Sequence, residues 1–113
     1  MQLPNADRAI VDPAKVRDYL LSPEHPVGLF KARVFARAGY TRRDWQRLQA
    51  DLRVAAERGD ATAGLALPYG QPYEVHTILQ GPSGRSLALV TIWIIRNGED
   101  VPRFVTAYPG AGA

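Results

Sequence analysis

The segment Leu87-Ala-Leu-Val-Thr-Ile-Trp-Ile-Ile95 constrains the fold of this chain more than any other. It is apolar at nearly every position and rich in β-branched residues, which fit a pleated surface better than a helical one. A strand without polar alternation needs cover on both faces, so this run predicts a central strand with helix over one side. Its borders are turns. Gly81-Pro-Ser-Gly84 precedes it as a hairpin, and Asn97-Gly98-Glu99-Asp100 follows it. Beyond each turn the chain also reads as extended. Tyr73 to Leu79 alternates Tyr73, Val75, Thr77 and Leu79 against Glu74, His76 and Ile78, the period-two pattern of a strand with two unlike faces, and Val101 to Tyr108 closes the set. Short turns join antiparallel neighbours, so residues 70–109 predict an antiparallel β-meander of three or more strands.

Residues 1–59 have helical periodicity instead. Asp12-Pro13 reads as an N-cap followed by proline at the first helical position, opening a helix to about Leu21 with Val16, Tyr19 and Leu20 on one side. Two prolines and a glycine in Ser22-Pro-Glu-His-Pro-Val-Gly28 break it. A second helix, Leu29 to Ala38, turns Phe30, Val34 and Ala38 inward, with Leu29 and Phe35 beside them, and points Lys31, Arg33 and Arg37 elsewhere; Gly39 stops it. Thr41 and Asp44 resemble a capping box ahead of a third helix to about Arg58, which buries Trp45, Leu48, Leu52, Ala55 and Ala56 and carries Arg42, Arg43, Arg47 and Arg53 elsewhere. Asp60 to Gly70, rich in Ala, Gly and Pro, reads as a surface connection. The expected fold class is therefore α+β, about three N-terminal helices packed on the sheet, as a single domain over residues 1–113, a length close to modal for one core.

Composition narrows the chemistry. The absence of cysteine excludes a disulfide framework, a thiolate nucleophile and a cysteine zinc site, and with only His25 and His76 as histidines no metal or cofactor is expected. No run approaches the ~20 apolar residues of a membrane span, and the first residues carry no export signal, so the expectation is a cytoplasmic protein without a membrane partner. The net charge of +3 rests on fourteen basic residues, of which only Lys15 and Lys31 are lysines. Arginine suits bidentate phosphate contacts and stacking on bases, although a GC-rich genome produces the same bias.

Two patches differ from scaffolding. His25-Pro-Val-Gly-Leu-Phe-Lys31 is a constrained loop feeding a helix N-terminus, where free amides and the helix dipole favour an anion. Pro102-Arg-Phe-Val-Thr-Ala-Tyr-Pro109 brings Arg103, Thr106 and Tyr108 to the end of the last strand. In a regular strand Thr106 and Tyr108 share a face with Phe104, while Arg103 points the other way with Val105. A bulge or strand start at Pro102 would re-aim Arg103.

The segments Leu3 to Ala9, Tyr19 to Gly28, Gly39-Tyr40, Tyr69 to Val75, Gly81 to Arg85, Trp93-Ile94 and Pro102 to Pro109 resemble an uncharacterised bacterial domain family found beside small antitoxin-like proteins. That family is in turn similar to the ribonuclease toxin superfamily of barnase, EndoU, colicin D and RelE. The resemblance implies a toxin-antitoxin-like endoribonuclease, working without metal by attack of a 2′-hydroxyl on the adjacent phosphorus. RNA and a small cognate antitoxin protein are the implied partners. It also implies a His or Lys from the helical part facing a polar residue of the last strands; the matching positions are His25, Lys31, Arg103, Thr106 and Tyr108. The chemistry requires a proton acceptor, a proton donor and cations at the phosphate. Histidine titrates near neutrality and suits the first role. Glu74 or His76 would supply the complementary group, Lys31, Arg103 and Thr106 would hold the phosphate, Tyr108 would stack on a base or donate to oxygen, and Arg85 joins Glu74 and His76 in substrate binding. A non-catalytic antitoxin- or immunity-like binding module is the alternative, with Trp93, Tyr73 and Tyr108 as a contact patch. A nucleotide-dependent transferase toxin is a third reading, which lacks a glycine-rich phosphate loop of standard spacing.

Overall fold

The computed structural model describes residues 1–22 and 26–110, with residues 26–30 as backbone. The capping reading of Asp12 holds: its carboxylate accepts from the Ala14 amide at 2.9 Å, opening the short helix α1 (Pro13–Lys15). The chain does not continue as α-helix to Leu21. It widens into a π turn, Val16–Leu20, closed by the Leu21 amide on the Val16 carbonyl, and Val16 and Leu20 of this turn are fully buried. Helix α2 spans Pro26–Arg37 and α3 spans Trp45–Arg58. The Thr41 hydroxyl accepts from the Asp44 amide just ahead of α3, whose Leu48, Leu52, Ala55 and Ala56 are buried as their spacing predicts; Trp45 is half-buried under the Arg17 guanidinium.

Four antiparallel strands follow in sheet order β1 (Asp60–Ala63), β2 (Gly70–Gln80), β3 (Ser86–Arg96) and β4 (Arg103–Pro109). The expected connection after α3 thus begins as a strand. β1 pairs along His76 to Tyr73, and only Ala61 of its four residues is buried, so it has little apolar signature to read.

The helices cover one face of the sheet. Val75, Leu79, Leu89, Trp93, Phe104 and Ala107 join the helical core residues in one cluster, and Trp93 meets Phe104 edge-to-face at 5.3 Å between centroids. Thr91, fully buried on this face, donates to the Val75 carbonyl and accepts from the Trp93 indole, so the polar atoms there are paired. Val90 and Ile94, which alternate with these residues, are also buried but lie outside the helix-packed cluster. β3 is therefore covered by helix on one face only, and on the other it is shielded by neighbouring side chains.

A bulge between Ile92 and Trp93 changes the face assignment of β4. Trp93 stands opposite Phe104 and Thr91 opposite Ala107, which leaves one extra residue between them. Phe104 and Ala107 both enter the core, while Arg103, Thr106 and Tyr108 oppose Ile94, Ile92 and Val90 on the other side. The expectation that Thr106 and Tyr108 share a face with Phe104 is overturned, and Arg103 lies on their side.

The β2–β3 hairpin is fastened to the end of α2. The Ser83 amide bonds the Ala38 carbonyl at 3.0 Å, Gly39 takes φ +93°, and a Cβ on Gly81 would sit 2.0 Å from the Ala38 oxygen. Among the described residues no helix is long and apolar enough to cross a membrane.

Candidate active site on the outer face of the sheet

The site builds outward from strand register. On the helix-free face, Glu74, Ile92 and Thr106 form one row across β2, β3 and β4, and His76, Val90 and Tyr108 form the next. Strands lie about 4.8 Å apart, so a row crossing two gaps spans about 10 Å. Apolar Val90 and Ile92 occupy the middle, and polar groups stand on either side. The His76 Nε2 lies 3.4 Å from the Glu74 carboxylate. Tyr108 stands near the same carboxylate; burial, then the Glu74 charge, raise its phenol above the ordinary value. A cavity of about 490 Å³ opens beside His76, lined in part by Arg58, Asp60, Ile78 and Ala88.

The Thr106 row ends at a second group supplied by the helical half. The Lys31 ammonium, from α2, donates to the Thr106 hydroxyl at 2.7 Å and to the Ala107 carbonyl at 2.8 Å. The spacing predicts Lys31 pointing away from the buried stripe of its helix; it is half-buried and reaches the edge of β4 beyond the point where Ile10 bridges Arg103. An edge strand offers unpaired carbonyls, and the ammonium satisfies one. Tyr19, from the π turn, completes the group, its phenol 3.2 Å from the Thr106 hydroxyl and its ring 5.2 Å below the Lys31 nitrogen. Burial alone would raise the Tyr19 phenol, but its bonds to Thr106 and Lys31 and the charges of Lys31 and Lys15 outweigh that and lower it. The spacing of Val16, Tyr19 and Leu20 predicts Tyr19 only as part of a buried helical stripe. The widened turn that aims it at β4 has no marker in the sequence.

Over residues 2–111 the sequence matches the model of a domain of unknown function, DUF6883. The chain belongs to this family. No curated protein matches it. Among solved structures, it is similar to a chain of the contact-dependent growth inhibition toxin–immunity protein complex from Klebsiella pneumoniae 342, with a TM-score of 0.70 and 17% identity, over 89% of this chain and 99% of that one. At that identity the likeness is one of fold.

The remaining site candidates of this DUF6883 domain fall elsewhere. Arg103 shares the outer face but is tied to Glu99 by two bonds, the shorter 2.8 Å, which hold the carboxylate below its usual range and raise the guanidinium. It is engaged within the turn rather than offered to a ligand. Arg85 sits at the β2–β3 hairpin, across from the end of α2. His25 lies outside the described residues. No group of three or more His, Asp or Glu that could hold a metal occurs among the described residues.

Proposed function

We propose that this DUF6883 domain is a metal-independent endoribonuclease toxin with a small antitoxin or immunity protein as its partner. The observation that carries the reading is the outer face itself, where the Glu74–His76 pair stands two strand gaps, about 10 Å, across an apolar floor from the Thr106 hydroxyl and its Lys31 ammonium, and the Tyr108 phenol stands about 7 Å along β4 from that hydroxyl. The likeness of fold to a chain of a toxin–immunity complex supports the same class.

In this reading the RNA backbone lies across β3 and β4. His76, oriented by Glu74, accepts the proton of the 2′-hydroxyl as that oxygen forms a bond to phosphorus. Lys31 and Thr106 hold the phosphate oxygens, where negative charge grows. The bond from phosphorus to the 5′-oxygen breaks, the Tyr19 phenol, more acidic than usual, gives that oxygen a proton, and a 2′,3′-cyclic phosphate remains. Tyr108 stacks on a base beside Val90. His25, six residues ahead of Lys31, is a second candidate for proton transfer.

The test is cleavage of single-stranded and transfer RNA in EDTA, with end-group analysis for the cyclic phosphate. Wild type should cut, and His76→Ala should lose roughly 10²-fold or more in rate, a typical loss for general acid–base catalysis. RNA left intact by wild type would defeat the enzyme reading. Loss on His25→Ala alone would move the proton transfer to His25. The exposed Ile78 beside His76 favours one second reading, a non-catalytic protein-binding face, which would leave RNA intact and bind its partner through that face.

A further inference from the structure

The same helix that carries Lys31 forms a groove further along its length. Val34 of α2 and Ala38 just past its end, with Leu87 of β3 and Pro109 of β4, line a cavity of about 390 Å³ that Arg37 and Arg85 also line. Both arginines are exposed, and neither side chain has an acidic partner among the described residues. Arg42 and Arg47, by contrast, pair with Asp18 and Asp51. The segments that carry Arg37 and Arg85 are also held fixed relative to each other. The hairpin that carries Arg85 is bonded to the α2 terminus through the Ser83 amide on Ala38 and the Ser83 hydroxyl on the Arg37 carbonyl, at a contact too close to admit a side chain at Gly81.

Resting on the ribonuclease reading, we propose that this groove is a subsite for a nucleotide flanking the scissile phosphate of single-stranded RNA. Arg37 and Arg85 grip its phosphate from two rigid elements, and Val34, Leu87 and Pro109 receive the base. The geometry favours RNA over an acidic protein for two reasons. The groove lies beside the Lys31–Thr106 end of the candidate site, around the β4 edge on the helix-covered side of the sheet, since Lys31 and Val34 are one turn apart on α2 and Thr106 and Pro109 lie on the same strand. Its volume matches a single small ligand rather than a protein surface. Six residues of helix separate Lys31 from Arg37, about 9 Å along the axis, too far for one phosphate to touch both.

The experiment measures equilibrium binding of a fluorescein-labelled, 2′-O-methyl single-stranded octanucleotide, which cannot be cleaved by 2′-hydroxyl attack, over a range of NaCl concentrations. The double variant Arg37→Ala/Arg85→Ala should bind about 10-fold or more weakly at low salt, with the slope of log K against log salt smaller by about 0.7 to 1.4, one or two phosphate contacts on a single strand. Arg43→Ala/Arg53→Ala, two exposed arginines away from the groove, should change neither, and circular dichroism should show all variants folded. Unchanged affinity and slope in the groove variant would overturn the proposal, as would a wild type with no affinity for the RNA. If the groove variant instead lost only an acidic protein partner, the groove would belong to that partner and the RNA proposal would fall. Cleavage is scored separately: binding that weakens as expected beside a wild type that does not cut would sink the ribonuclease reading and leave the groove as a nucleotide-binding site only, overturning its place beside a scissile phosphate.

Discussion

The two faces of the sheet are built from the same strands and obey different rules. On the inner face Val75, Thr91, Trp93 and Ala107 are completely buried, and even the polar Thr91 spends its hydrogen bonds on Val75 and Trp93. On the outer face Glu74, His76 and Tyr108 keep contact with solvent over a floor of Val90 and Ile92, and Ile78 is 70% exposed. Burial costs a polar group its water, so it is tolerated only where partners are complete. The inner face meets that condition and is scaffold. The outer face places titratable groups beside one another without sealing them, which is the condition for a site.

The contrast makes graded expectations. Trp93→Ala removes the largest fully buried side chain and should destabilise the fold by about 3–5 kcal/mol in urea unfolding, enough to unfold a marginal domain. A cost near zero would mean that the inner face is not the core. Tyr40 gives a smaller, pH-dependent effect. Burial, followed by the hydrogen bond to Asp51, raises its phenol well above 10, so the folded state holds this proton more tightly than the unfolded chain. Its contribution is complete below pH 10 and declines as pH rises toward the folded value; the urea midpoint should fall above pH 10, and fall less steeply in Tyr40→Phe. A midpoint that rises above pH 10 would reverse the sign. Ile78→Ala, on the outer face, should change stability by no more than about 0.5 kcal/mol; a larger loss would show that this face too is packed.

Much of the fold could be read from the chain because periodicity and turn chemistry agree. The apolar run of β3, the alternation of β2 and the spacing of Leu48, Leu52 and Ala55 each predict their element. What could not be read depends on contacts made across the fold. β1 is four small residues held by pairing with β2 rather than by an apolar pattern of its own. The bulge that turns Thr106 and Tyr108 away from Phe104 lies in a run, Phe104 to Thr106, that looks regular as sequence. Of the expected site, the family resemblance implies a His or Lys of the helical half facing a polar residue of the last strands, and Lys31 and Thr106 lie 2.7 Å apart. Glu99 was read only as part of a turn, yet it engages Arg103; a carboxylate and a guanidinium four residues apart across a turn were the available signal.

The claim that the inner face is scaffold and the outer face is site is tested most directly by measuring RNA cleavage and urea stability together on Thr106→Val. The substitution keeps the β-branched shape and deletes the hydroxyl that Lys31 and Tyr19 contact. The expected result is a cleavage rate at least about 10-fold lower with an unfolding free energy in urea within about 1 kcal/mol of wild type, the scale of one hydrogen bond. Cleavage at the wild-type rate in the folded variant would contradict it.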